Sequence, residues 1–452
     1  MQQLTYANLL SLNKPTMKQV LVAIGITILT SLYFFPFNSV WLPAVNTKMA
    51  LAALAIPLYL VRGAKARNSV PAYGMIGLSI CGIIVSLVGI LAVIINNTGD
   101  YTYASYFVSM YVWLGGAYVV TRAMEAVYGK VTIRLVCNFL ILVSVAQCIL
   151  AQIINAVPSV AAIVDGFMVS TGFMGKHETR LYGIGCALDV AGLRFCTVLL
   201  MTIFFALTPV SKEKQTLERC VYIIALLIIA VFGSMISRTT SVGVILCVVL
   251  CLLFPIFNQG YNSRANVRGL IKMFLLFLIV IIPVIIFFYN TNPEFRGNLR
   301  FGFEGFFALV EQGEWDVRSN QQLMSMVVWP DNLKTWIIGD GYFSQPQNDY
   351  YYVGPTYDYY MGTDVGYCRF IFYFGILGLM AFSMIFIVSA IICSKKHHEY
   401  KLLFWMIAII NFVGWFKVST DIFLVFAVFI CVGKEEYKLH RYENSLSDPL
   451  DI

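Results

Sequence analysis

Charged residues are scarce in this chain: Asp, Glu, Lys and Arg make up 12% of its 452 residues. With 59% hydrophobic residues and a mean hydropathy of +0.77, it is too apolar for a soluble globular protein, whose apolar share is about 45–50%. Histidine is scarcer still, at four residues. His177 stands apart from His397, His398 and His440, so no pair has metal-ligand spacing beside it. There is no D-x-D, and Glu314-Trp315-Asp316 is an isolated acidic pair that reads as solvated. These absences predict a site that works without metal or other cofactor. The eleven cysteines lie in or at the edges of apolar runs, so no disulfide framework follows. The first apolar run lacks a small-residue cleavage site and reads as a retained span.

Long apolar runs are what the chain does have. A span takes about 20 apolar residues, and twelve candidates fall at 19–37, 46–61, 70–95, 103–121, 134–157, 186–209, 220–236, 240–257, 271–289, 366–393, 402–416 and 419–433. The predicted class is an all-α polytopic membrane protein. With a cytoplasmic N-terminus, twenty of the 31 Lys and Arg residues fall on the cytoplasmic side, as the positive-inside rule requires. The net charge of +7 is then a topology signal, and nucleic acid is not an implied partner. The chain divides into N-terminal membrane helices (1–157), an outer loop (158–185), central membrane helices (186–289), a large outer loop (290–365), C-terminal membrane helices (366–433) and a charged cytoplasmic tail (434–452).

The segment from about Asn290 to Gly378 is the only long polar one. It closes on Gly339-Asp340-Gly341-Tyr342, a run of tyrosines, and Gly362-Thr363-Asp364-Val365-Gly366-Tyr367-Cys368-Arg369 entering an apolar helix with Gly375 and Gly378. A loop this long between spans is functional or separately folded, and reads as the lid or wall of a site at the membrane surface. Arg296, Arg300, Arg318, Lys334 and Arg369 supply its cations. Residues 302–320 are predicted to form one amphipathic surface helix with Phe303, Phe306, Phe307 and Val310 on its apolar side. Tyr342, Tyr350, Tyr351, Tyr352, Tyr357, Tyr359 and Tyr360 have two readings: an interfacial aromatic belt or a platform for sugar rings.

Three arginines stand out elsewhere. Arg180 follows Lys176-His177-Glu178-Thr179 at the membrane surface, where its simple reading is a snorkelling side chain. Arg194 lies deeper in the sixth span, and a cation at that depth faces a polar cavity or a partner. Its simple partner is Asp189. Ser237-Arg238-Thr239-Thr240-Ser241 breaks an apolar run too long for one span, predicting a tight outer turn. Arg238 there suits bidentate binding of an anion, or caps the turn.

Arg180-x-x-Gly183, Ser237-Arg238, and Gly339-x-Gly341 followed by Thr363-Asp364-x-Gly366-Tyr367 with Gly375-x-x-Gly378 together resemble the O-antigen polymerase and ligase superfamily. Order and sidedness both match, over about residues 155–395. The resemblance implies a GT-C-like glycosyltransferase bundle in the bacterial cytoplasmic membrane, active at its periplasmic face on an undecaprenyl-diphosphate-linked oligosaccharide. Its implied partners are that lipid-linked glycan, membrane lipid and a chain-length regulator protein. Ligases of this family carry a histidine just before the late span. Thr363-Asp364 stands there instead, which shifts the reading to repeat-unit polymerase.

On that reading Arg180, Arg238 and Asp364 are the catalytic candidates. Arg194, Arg318, Arg369, Glu178, His177, Tyr342 and Tyr367 are the substrate-binding ones. Preorganised arginines would stabilise the charge on a leaving diphosphate. Asp364 is the first choice of base and Glu178 the second, with an Asp364–Arg369 pair that merely pins the loop as the alternative. A flippase for the same glycan would share the spans and buried arginines, but would show internal repeats, and the two halves show no self-similarity. A ligase is the other alternative. A cell-wall polymerase of the shape-and-division type would bring acid-containing loop motifs that the sequence lacks.

Overall fold

The computed structural model describes residues 16–63, 72–169, 180–210, 214–257, 263–344 and 359–433. Helix α1 (Met17–Phe34) is opened by a capping box between Thr16 and Gln19. A two-stranded hairpin, β1 (Asn38–Ser39) and β2 (Leu42–Asn46), leads into α2 (Thr47–Gly63). Then come α3 (Ala72–Asn96), α4 (Tyr106–Tyr128), α5 (Ile133–Ala156) and the short α6 (Pro158–Phe167). The central group is α7 (Leu188–Leu207), α8 (Gln215–Ile236), α9 (Thr240–Phe257) and α10 (Ser263–Thr291). Four short helices follow: α11 (Pro293–Gly302), α12 (Glu304–Gln312), α13 (Arg318–Ser325) and α14 (Leu333–Ile338). The chain then returns to the bundle with α15 (Gly366–Lys396), α16 (Lys401–Gly414) and α17 (Phe423–Cys431).

This is an all-α polytopic membrane protein. Among the described residues eight helices, α1, α3, α5, α7, α8, α9, α10 and α15, are long and apolar enough to cross a membrane. The other four apolar runs are helical too. Three of them, α2, α16 and α17, are shorter, with 17, 14 and 9 residues. The single amphipathic helix expected over 302–320 is corrected: α12 stops at Gly313, whose φ of 79° ends the helix, and α13 begins at Arg318. All eleven cysteines are free.

Helix α7 is the axis of the bundle. Every residue from Ala191 to Leu207 is buried, because α5, α8, α9 and α16 all pack against it. Its hydroxyls are satisfied within the helix, Thr197 donating to the Arg194 carbonyl and Thr202 to that of Val198. At the opposite extreme, α10 buries only Ser263 and Leu270. Leu275, Leu276, Ile279, Val280 and others along it face outward, which only a lipid surround tolerates over so long a helix.

One break in the bundle positions the site. Helix α15 loses helical geometry at Phe374 and Gly375 (φ 65°, ψ −169°), a conformation confined to glycine. The freed carbonyls are taken up by the end of α14: Asp340 N–H donates to Phe372 and Gly341 N–H to Tyr373. Two glycines allow this approach. A Cβ on Gly375 would lie 2.2 Å from Ile337 main chain, and one on Gly339 would lie 2.5 Å from that of Tyr373. The loop after α3 fastens the junction, with Thr98 donating to the Gly341 carbonyl and Asp100 accepting from Phe343 and Ser344 N–H. Tyr103 fills the corner, its ring 5.2–5.6 Å from those of Phe343, Phe370, Tyr373, Phe374 and Phe382.

Candidate functional site

The turn between α8 and α9 is three residues long, Ser237 to Thr239. Its hydroxyls hold it: Ser237 Oγ accepts from Thr239 N–H, and Thr240 donates back to the Gly233 carbonyl. Arg238 does not cap this turn. It reaches to the polar segment, where Nε donates to the Phe301 carbonyl at 2.9 Å and Nη1 to Ser319 Oγ at 3.0 Å. Glu304 lies 2.8 Å from Nη1, an ion pair without hydrogen-bond alignment. The guanidinium also sits 4.1 Å from the centre of the Phe301 ring. Arg180 lies against the same ring, 5.0 Å from its centre. Two cations from separate segments therefore converge on one phenyl group. Burial draws Arg238 below its ordinary pKa, Glu304 opposes that, and Arg180 adds to the lowering. Their mutual repulsion is what an anion bound between them would relieve.

Asp189, in the first turn of α7, connects this turn to the end of the chain. It accepts from Ser237 Oγ at 2.9 Å and Thr239 Oγ1 at 2.6 Å, and Lys417 Nζ stands 3.3 Å away. It is thus not the partner of Arg194, as the sequence had allowed. Lys417 belongs to the loop between α16 and α17, which also supplies Ser419, the acceptor of a 2.6 Å bond from Arg369 Nη1. Arg369 Nη2 donates to the Phe343 carbonyl at 2.8 Å, and the guanidinium lies 3.8 Å from the Phe343 ring and 4.7 Å from that of Tyr359.

With Arg369 held in this way, Asp364 is left with a 3.6 Å ion pair to it and accepts no hydrogen bond among the described residues. Burial pushes the Asp364 carboxyl up to about 6; Asp189 adds to the rise, while Arg369 and Lys417 oppose it. Its side chain is 30% exposed, enough to meet a substrate hydroxyl.

No family model, curated protein or solved structure matches this chain.

The remaining sequence candidates divide. Arg194 is buried in α7 with its Nε unpartnered and the ring of Phe35 5.7 Å away. Tyr342 packs its ring 5.2 Å from Tyr360, whose hydroxyl donates to Asp340. Tyr367 donates to the Phe412 carbonyl and wedges between Trp415 and Phe416, so its hydroxyl serves the α15–α16 junction. Arg318 is exposed on α13 and has no hydrogen bond or ion pair among the described residues; its neighbour Ser319 makes the contact to Arg238. His177, Glu178 and most of the tyrosine cluster (Tyr350, Tyr351, Tyr352, Tyr357) lie outside the described residues.

Sequence reasoning missed Lys417, Asp421, Ser419, Lys48 and the Phe301 platform. A signal existed for two of them: Lys417 lies between the last two apolar runs and Asp421 inside the last one, in a chain where charge is rare. Chemically, the arrangement offers two arginines for an oxyanion and a carboxylate that gains and loses a proton near neutrality. The shared links to Asp189 hold both at one end of the bundle.

Proposed function

We propose that this chain polymerises undecaprenyl-diphosphate-linked oligosaccharide repeat units, as a repeat-unit polymerase of the O-antigen type with twelve spans in a GT-C-like bundle. The reaction occurs at the periplasmic face of the bacterial cytoplasmic membrane. The observation that carries the reading is the convergence of Arg180 and Arg238 on Phe301, at the same end of the bundle as the raised carboxyl of Asp364. In the transfer, the bond from the anomeric carbon to the donor diphosphate breaks, and the leaving diphosphate takes the electron pair. Arg180 and Arg238 stabilise that charge in surroundings of low dielectric. The acceptor hydroxyl forms the new glycosidic bond and gives its proton to Asp364, whose pKa near 6 suits a base at neutral pH.

The test is incubation of the purified protein with a lipid-diphosphate repeat unit and no nucleotide sugar. A ladder of longer lipid-linked products is expected, and it should persist in chelator. A flippase is the second reading, favoured by the broken helix α15, since transporters build their sites on discontinuous helices. Movement of the lipid-linked glycan across proteoliposomes with no ladder would establish it. A chain-length regulator, if it binds, is expected to shift the ladder's modal length without being needed for its formation.

A further inference from the structure

Beneath the Asp189 network lies a second polar cluster, built from different elements. Arg194 comes from α7, Lys48 from the start of α2, and Asp421 from the loop before α17. The Asp421 charge acts on both cations, and the cations act on each other. Yet no ion pair within 4.0 Å joins any two of the three, whereas Lys417–Asp189 and Arg238–Glu304 close by are paired. Lys48 lies over the Trp113 ring at 4.1 Å. Among the described residues Asp421 accepts only from Phe423 N–H, two residues on.

Arg194 is the informative member. It is 7% exposed, its Nε has no partner, and its guanidinium donates no hydrogen bond among the described residues. Its Nε, buried without an acceptor, is costly unless a ligand fills the role. Two cations against one carboxylate leave a surplus of one positive charge. That surplus matches a singly charged oxyanion. A diphosphate carries more charge than one buried guanidinium offsets, and Asp421 would repel it. Lys48 and Asp421 are only half-buried, so the cluster is reachable from the end of the bundle that carries Lys417.

We propose that Arg194, with Lys48 and Asp421, forms a subsite for the carboxylate of an acidic sugar in the glycan substrate. This rests on the polymerase reading and deepens it: Arg194 takes the carboxylate bidentately, and Asp421 and Lys48 hydrogen-bond the ring hydroxyls. It makes the enzyme selective for repeat units that contain a uronate-type residue.

The test uses thermal unfolding and calorimetric titration of the purified full chain with three probes: glucuronate, glucose and inorganic pyrophosphate. Glucuronate, and not glucose, is expected to bind the wild type. Arg194→Gln should weaken glucuronate at least tenfold and leave pyrophosphate unchanged, and Arg238→Gln should do the reverse. Equal binding of glucose and glucuronate, no binding of glucuronate to the wild type, or undiminished glucuronate binding by Arg194→Gln each overturns the proposal. So does loss of pyrophosphate binding in Arg194→Gln, which would give this arginine to the leaving group. Should Arg194→Gln not fold, Lys48→Gln and Asp421→Asn read the same subsite, and unchanged glucuronate binding in both overturns it. Failure of the ladder assay with glucuronate binding intact removes the polymerase and leaves the subsite.

Discussion

Arg238 and Arg194 are handled in opposite ways. Arg238 has a carbonyl, a hydroxyl, a carboxylate and a ring around it, and its position is fixed before any substrate arrives. Arg194 is more deeply buried, faces the Phe35 ring and donates no hydrogen bond among the described residues. The first is the arrangement of a preorganised electrostatic catalyst, whose donors do not reorganise during reaction. The second leaves its Nε without an acceptor. Burial alone does not separate the two roles; the partner list does.

The comparison can be pressed hardest through Asp364, which neither arginine holds. Asp364→Asn is expected to reduce polymerisation by about 10²–10⁴, the usual contribution of a positioned base. In the wild type the rate should rise with pH through about 6 as the carboxyl deprotonates, and the variant should lose that rise. A pH–rate profile of ladder formation checks both. Normal activity in the variant would return Asp364 to pinning the loop.

Next in size, Arg180→Lys and Arg238→Lys should each cost about 10²–10³ in rate, or 2.7–4 kcal/mol, since an ammonium cannot reproduce bidentate contacts. The same change at Arg194 should instead alter which repeat unit is used. Rates with charged and neutral repeat units make the distinction.

Gly375→Ala sharpens the contrast from the side of the fold. It is expected to destabilise by about 1–3 kcal/mol for the backbone conformation alone, with a lower melting temperature and weakened Arg369 function. The smallest effect separates the two arginines directly. Arg238→Met should lower stability by about 1–3 kcal/mol by leaving the Phe301 carbonyl without its donor and Glu304 without its ion-pair partner. Arg194→Met should be neutral or stabilising, because an unpaired buried charge is replaced by an apolar side chain of similar volume. Equal melting shifts in the two variants would break the comparison.

Much of the fold was legible because the membrane simplifies it: apolar length alone marks the spans, and the Ser237–Thr239 turn follows from a run too long for one of them. The Gly339 and Gly375 motifs were legible as places where something approaches closely. What approaches them was not, since the contact pairs the main chain of Gly339–Gly341 with a helix break over 30 residues away in sequence. Lys417 and Asp421 were passed over for a different reason. Lys417 stands in the short gap between two apolar runs, where cations commonly snorkel, and Asp421 falls inside the last run. Only the packing of α16 against α7 brings Lys417 to Asp189, and no local pattern encodes that.

The break in α15 bears on how this chain enters a membrane. From Gly375 to Lys396 the helix has enough residues, at 1.5 Å each, to match a hydrocarbon thickness of about 30 Å. The nine residues from Gly366 to Phe374 are not needed for crossing. The later portion is therefore long enough to serve as the transmembrane segment without the earlier portion that carries Arg369. An arginine at mid-helix costs about 2.5–3.5 kcal/mol to insert. With crossing left to the portion after the break, Arg369 need not be carried to that depth.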